Sequence, residues 1–406
     1  KRRSTDSWPT SPSDHHVLRR ADVAARHGPA YMARFGGAIL PSHVRALSAI
    51  TICRTPTLGA HLGVCAQCQQ RHLLYHSCRH RACARCGHDA TERWLASQRQ
   101  LLLPVRYFHV VFTLPSELRQ LVRTHQRALI GVLFRSAYAA LSELAKDPRY
   151  LGGRIGALAV LHTWTRTLGY HPHVHMLVPG GALTADGTWR PAPRRRKRYL
   201  VPIRALGKLF AGKFLDAAQR ALPDGVRIPN VSVGTKWVVF VKPAVQGSDT
   251  VLRYLGRYVH KTAIADGAIV ACTDHVVTFR YRDSRTHERK TMTLPPHEFL
   301  RRFLQHVLPK GLHRVRAFGL LSSAHRTTLR QLQLLLGANA GRDLDAPQKS
   351  PPRCPHCRTG TLILICRLTP DACRAILAAQ TSLPAQTLSM PARAPPPPSP
   401  QRGSAP

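Results

Sequence analysis

Two hydrophobic periods alternate along this chain. "VRYFHVVFTLP" (105–115) is a β-branched and aromatic run, the pattern of a buried strand. "SELRQLVRTHQRALIGVLFRSAYAALSELAKD" (116–147) repeats its apolar residues at three and four positions and predicts helix over more than one helix length. "RIGALAVLHTWTRT" (154–167) and "HPHVHMLVPGG" (171–181) then read as strands joined by a short Leu-Gly turn, hence as antiparallel neighbours. Further along, "PIRALGKLFAGKFLDAAQRAL" predicts a helix, "TKWVVFVKP" a strand and "SDTVLRYLGRYVHKTAI" a helix with Ser248 as its cap. "AIVACTDHVVTFRYRD" predicts a hairpin, and "PPHEFLRRFLQHVL" a helix opened by proline. Strands and helices intermix without an internal repeat, which makes the class α+β.

The pattern divides the chain into four regions. Residues 1–45 are basic, rich in Pro and Ser, and pass into a helix around "ADVAARHGPAYMARFG". Residues 46–90 hold a cysteine and histidine cluster, and 100–330 form the mixed α/β domain. From 337 to 406 the chain loosens, with a small cysteine group and a tail, "PARAPPPPSPQRGSAP", whose composition predicts disorder.

Charge changes the picture next. Sixty Lys and Arg against 20 Asp and Glu give a formal charge of +40, while 44% of residues are hydrophobic. A folding chain with that imbalance calls for a polyanionic partner, and nucleic acid binding of this kind is steeply salt-dependent. No stretch of about 18 apolar residues suggests a membrane span, and the N-terminus lacks the apolar core of a signal peptide. A cytoplasmic location is the matching expectation. In that setting the 11 cysteines read as metal ligands rather than disulfides.

Six cysteines lie between Cys53 and Cys86. Cys65-x-x-Cys68 and Cys83-x-x-Cys86 have the spacing of a four-cysteine zinc ribbon, a closed tetrahedron suited to a structural ion. Cys53, His61 and Cys78 either complete a second zinc site or are two buried thiols and a core histidine. Arg79, His80, Arg81 and Arg85 stand on the same segment and are candidates for phosphate contacts. "CPHC" supplies Cys354 and Cys357 near the C-terminus, where Cys366 and Cys373 make no second knuckle.

Residues two apart on a strand share a face, so His171, His173 and His175 point one way. A turn near Leu168 places His162 opposite residues 173 to 175. Three imidazoles with open positions beside them suit a catalytic metal; the alternative is a solvated histidine face. His171 is a fourth ligand or a phosphate contact. Tyr254 and Tyr258, four apart, are neighbours on one side of a helix. Arg194, Arg195, Arg196, Lys197 and Arg198 form a basic run that is either part of a DNA track or a solvated loop.

Together, the cysteine module, "YHPHVHMLVPGG", "YLGRYVHKTAI" and the stretch from "VTFRYRDSRTHERKTMTLPPHEF" to "RVRAFGLL" resemble the rolling-circle insertion-sequence transposases. These are HUH single-strand endonucleases of two-tyrosine type. The resemblance covers about residues 40 to 330. It implies an α+β fold with a zinc-binding module followed by an endonuclease domain, a central antiparallel sheet flanked by helices. It also implies Tyr254 and Tyr258 as nucleophiles, His173, His175 and His162 as ligands of magnesium or manganese, and a 5′-phosphotyrosine intermediate on single-stranded or locally melted DNA. A rolling-circle replication initiator or relaxase would share this core. A non-catalytic zinc-finger DNA-binding protein is the rival of another class. Three-carboxylate, two-metal chemistry is disfavoured by the scarcity of acidic residues.

Overall fold

In the computed structural model of the chain, residues 18–193, 200–235, 237–243, 263–337 and 351–381 are described, together with Thr250 and Gly256. The centre is a five-stranded sheet in the order β12-β4-β5-β3-β8, antiparallel throughout. Its strands are β3 (Tyr107–Thr113), β4 (Gly156–Trp164), β5 (Tyr170–Pro179), β8 (Val238–Pro243) and β12 (Val315–Gly319). Between β3 and β4 run α4 (Arg119–Thr124) and α5 (Gln126–Lys146); α6 (Ile203–Ala221) precedes β8.

Strict alternation explains the layering, because one residue of slip would turn every side chain to the other face. Phe108, Val110, Phe112, Val174, Met176, Val178, Ala157, Ala159 and Leu161 are fully buried against α5 and α6. From α5 come Leu129, Leu133, Phe134 and Ala137, and from α6 Leu206, Phe210 and Phe214. Although α5 is long and apolar enough to cross a membrane, its apolar residues are spent on this core.

The opposite sheet face behaves differently along its length. At the Tyr107, Leu158 and Leu177 end it is covered by Leu320, Leu321, Leu329 and Leu332, with Trp94 and Leu95 packed beside them. Toward the other end it carries His109, His162, His173 and His175, and on the edge strand β8 Val238 and Phe240 are 45% and 50% exposed.

Around this sheet the N-terminal helices α1 (Arg20–Phe35) and α2 (Pro41–Ile52) share a second core with the sheet β9 (Ile269–Cys272), β10 (Val277–Arg282) and β11 (Arg289–Leu294). The helix α7 (Pro296–Leu304), begun by proline, contributes Phe299, Leu300 and Phe303 to it. A buried Arg20–Asp266 ion pair of 2.6 Å joins α1 to the segment before β9. Arg81 sends its guanidinium to the carbonyls of Leu308, Pro309 and Leu312 at 2.5–2.8 Å. This fork binds three backbone acceptors at once, so Arg81 ties the cysteine region to the segment between α7 and β12. Arg85 likewise donates to the Cys53 carbonyl. Both arginines thus give guanidinium donors to backbone carbonyls.

The C-terminal region departs from the expected loosening. Residues 351–381 contain β13 (Leu362–Leu368) and the helix Pro370–Thr381. β13 pairs with β1 (Ala60–Cys65), which also pairs with β2 (Arg71–Tyr75), giving the sheet β13-β1-β2. The proline-rich tail lies outside the described residues.

Candidate functional site: a histidine cluster on the open sheet face

The β4–β5 hairpin sets the site. Leu168 turns the chain in the left-handed region (φ 63°) and is fully buried. Its carbonyl accepts from Gln305 Nε2 at 2.7 Å and from His306 Nε2 at 3.1 Å, while Arg302 donates to the Thr167 carbonyl at 3.3 Å. Burial holds His306 neutral, its pKa depressed to about 3. Its Nδ1 can then accept from Thr163 Oγ1, 3.2 Å away. The residues that follow and end α7 thus pin the turn, and a pinned turn fixes register.

The register places His162 directly opposite His173 and Val160 opposite His175. One ligand nitrogen each from His162, His173 and His175 lies within 4.8 Å of the others. His162 is 5% exposed; its ring centroid is 5.5 Å from His173 and 4.4 Å from His175. The three side chains named from the sequence therefore converge. Their donor set, three imidazoles with no thiolate, suits a divalent ion that keeps open positions.

Hydrogen bonds engage Nδ1 in two of them. His173 Nδ1 donates to the His171 carbonyl at 2.7 Å, and His175 Nδ1 lies 2.8 Å from His109 Nε2. With both Nδ1 atoms engaged, Nε2 is the ligand atom in each ring. His109, on β3, was not singled out by motif reasoning; the signal was a histidine two residues into a strand of otherwise apolar inward positions. Burial, then the charge of Lys242, hold it neutral with a pKa of about 4. Desolvation also lowers His173, and desolvation with the neighbouring His173 lowers His171 to about 4. Neutral imidazoles are the form that binds cations.

Tyr254, Tyr258 and the basic run Arg194–Arg198 lie outside the described residues. Gly256, between the tyrosines, is helical, and a side chain there would meet Leu95 Cδ1 at 2.9 Å.

The cysteines are grouped differently from the expectation. Cys53, Cys78, Cys83 and Cys86 form one cluster; Cys65 and Cys68 meet Cys354 and Cys357 in another. Cys65 and Cys68 do not join Cys83 and Cys86, because the β1–β2 hairpin carries the first knuckle to the side facing β13. Cys53 follows α2, Cys83 precedes α3 (Ala84–Arg99), and Cys86 sits in its first turn. The Cys53–Cys86 and Cys78–Cys86 sulfur distances are both 3.6 Å. A tetrahedral zinc with sulfur at ~2.3 Å requires edges of roughly 3.8 Å, so the first cluster fits zinc without rearrangement. Hydrogen bonds from the other three cysteines hold Cys86 far below the ordinary thiol range. His61 belongs to neither group: it is hydrogen-bonded at 3.0 Å to His76.

Comparison with known proteins places these features. Residues 23–114 match the family described as "Transposase zinc-binding domain" of IS91 type, and residues 156–328 match that described as "Putative transposase". The chain is 38% identical over 378 residues to "Putative transposase y4qJ" of Sinorhizobium fredii (strain NBRC 101917 / NGR234), covering 85% of this chain and 94% of that one. It is 30% identical over 299 residues to the transposase for insertion sequence element IS801 of Pseudomonas savastanoi pv. phaseolicola, covering 71% and 72% respectively. A solved conjugative relaxase, TrwC with mutant oriT DNA, aligns with 58% of this chain and 74% of its own at 12% identity and a TM-score of 0.23, too distant to carry an argument.

Proposed function

Because the chain belongs to the insertion-sequence transposases of the IS91 and IS801 kind, enzymes that act on DNA through a zinc-binding domain and a transposase domain, we propose that its histidine face is the nicking centre of a single-strand DNA transposase. His162, His173 and His175 would hold a divalent cation, magnesium or manganese. When bound, the ion supplies positive charge and Lewis acidity at the scissile phosphate. The observation that carries this reading is the convergence of the three imidazoles, two with Nδ1 already hydrogen-bonded, on the sheet face left open by α5 and α6.

The chain's own groups then divide the work. The nucleophile is Tyr254 or Tyr258: its phenol oxygen forms a bond to phosphorus as the bond to the 3′ oxygen breaks. The phenolic proton leaves and the 3′ oxygen acquires one, giving a 5′-phosphotyrosine and a free 3′-hydroxyl. The phosphodiester energy is kept in the protein–DNA link, so rejoining needs no nucleotide cofactor. A second tyrosine permits a second cleavage while the first end is still attached.

Access favours a single strand. Phe240 faces the same side of the sheet as the histidines, since it pairs with Val111, which pairs with His175. Half-exposed Phe240, with Lys242 two residues on, offers a base a stacking surface and a phosphate a charge. The basic run Arg194–Arg198 would supply further phosphate contacts.

The test is cleavage of single-stranded oligonucleotides from the element's ends, with manganese or magnesium, scored for an adduct that survives denaturation. Tyr254→Phe and His173→Ala proteins are expected to lose the adduct, and Tyr258→Phe orders the two nucleophiles. Wild-type protein that binds these ends tightly yet forms no adduct with either ion would overturn the reading.

A further inference from the structure

We propose that Cys65, Cys68, Cys354 and Cys357 bind a second structural zinc ion, which clamps the C-terminal strand–helix unit onto the N-terminal module. The matched zinc-binding family ends at residue 114, so half of this site lies some 240 residues beyond it. The Cys65–Cys357 and Cys68–Cys354 sulfurs are each 3.6 Å apart, and all four lie within 4.8 Å. Those separations match the edges of a thiolate tetrahedron around zinc, roughly 3.8 Å, and are far too long for disulfides at ~2.0 Å.

The two half-sites follow one plan. In the first knuckle Cys65 N–H donates to the Gln70 carbonyl at 3.0 Å and Gln69 N–H to the Cys65 carbonyl at 3.1 Å. In the second, Cys354 N–H donates to the Gly360 carbonyl at 2.7 Å and Arg358 N–H to the Cys354 carbonyl at 2.9 Å. The residue after each second cysteine is left-handed: Gln69 at φ 56° and Arg358 at φ 63°. Backbone amides point at sulfur in both, from Gln67 and Cys68 to Cys65 Sγ at 3.4 Å and from Gly360 to Cys357 Sγ at 3.3 Å. Such amides stabilise thiolate, the form a metal requires. Gly360 is also the residue that lets the knuckles close, because a Cβ there would stand 2.5 Å from Cys65 Sγ.

The surroundings join the same two segments. Ala66 N–H donates to the Thr361 carbonyl at 2.9 Å, and Thr359 Oγ1 donates to Gln67 Oε1 at 2.7 Å. β13 runs antiparallel to β1 from Cys65–Leu362 to Ala60–Leu368. The helix after β13 (Pro370–Thr381) packs on the turn Pro56–Leu58 and buries Cys373. The zinc-binding domain is thus finished by the end of the chain: it cannot close until Cys357 has been synthesised, and a copy truncated after residue 337 lacks half of this metal site.

The test uses the full chain and is independent of nicking. After gel filtration in metal-free buffer, elemental analysis in a His173→Ala background, which disables the histidine face, is expected to give two zinc ions per chain with all cysteines present and one once Cys354→Ser and Cys357→Ser are added. One zinc in the first protein, two in the second, or iron in place of the second zinc would overturn the proposal. Should the second protein fail to fold, thiol footprinting of the wild type decides. Exposed Cys366 is expected to alkylate at once, and Cys354 and Cys357 only after chelation. Labelling of Cys354 and Cys357 as fast as Cys366 in zinc-loaded protein would sink it.

Discussion

His109 offers the sharpest test of the histidine face. Its Nε2 lies 2.8 Å from His175 Nδ1, in rings whose planes differ by 3°, and it is 6% exposed. For His175 to bind a cation through Nε2, its Nδ1 must carry the proton and donate it. His109 must therefore accept, which only a neutral imidazole with its Nε2 lone pair can do, and its depressed pKa of about 4 keeps it so at neutral pH. Replacing His109 by Leu removes the acceptor and leaves a buried N–H unsatisfied. That costs ~1–3 kcal/mol, matching the ~10–100-fold loss in metal affinity that follows removal of an orienting partner. His109→Gln keeps an acceptor oxygen on a side chain of similar reach and is expected to recover most of the loss.

Manganese titration by calorimetry or by electron paramagnetic resonance of the unbound ion measures the effect directly, with thermal melts alongside to separate folding from binding. Cleavage should then show a raised half-saturating manganese concentration, with the rate at saturating ion largely restored. Equal manganese affinity in wild type and His109→Leu, or equal losses in the Leu and Gln proteins, would refute the positioning role.

Four other outcomes follow from the same structure. Phe240→Ala is expected to weaken single-stranded DNA binding by ~1–3 kcal/mol, with Phe240→Tyr near wild type; Lys242→Ala should lower the slope of log affinity against log salt by about 0.7. Fluorescence anisotropy across a salt series reads both, and an unchanged Phe240→Ala affinity would remove the stacking surface. His43 is buried, with its pKa lowered to about 4 by desolvation. Because the unfolded chain protonates near pH 6.5 and the folded one only near 4, stability should fall as pH drops through that window, by about 3 kcal/mol at most. In denaturant titrations His43→Leu should flatten the fall, and an undiminished slope would exclude His43 as its source. Arg81→Lys keeps the charge but loses the fork to three carbonyls, so a lower melting temperature by calorimetry is expected, and an unchanged one would show that the tie contributes nothing.

The histidine face was legible because every step toward it is local. Period-two spacing put His173 and His175 on one side, and a turn at Leu168 brought His162 across to them; strands joined by a short turn leave few registers to choose from. The cysteine pairing was not legible for the opposite reason. Cys-x-x-Cys spacing declares the ligand chemistry, since one knuckle presents two thiolates to one ion wherever it sits, but it says nothing of which two knuckles share that ion. Cys65 and Cys68 lie closer in sequence to Cys83 and Cys86 than to Cys354 and Cys357, and loop-closure entropy alone favours the nearer partners. That preference grows only logarithmically with length, at about 0.6 kcal/mol for each doubling of the loop. The pairing of β13 with β1 and the burial of Leu362 and Cys373 outweigh it. The cysteines left behind, Cys83 and Cys86, then take Cys53 and Cys78, the thiols delivered by the end of α2 and the segment after β2. His61 was excluded by the same strand pairing: on β1, beside β2, its ring reaches His76 and neither sulfur cluster. Composition hid the partner as well, because residues 351–381 stand next to a proline-rich tail and read as its beginning, whereas their continuous apolar run Leu362–Cys366 belongs to a strand that needed a distant edge to pair with.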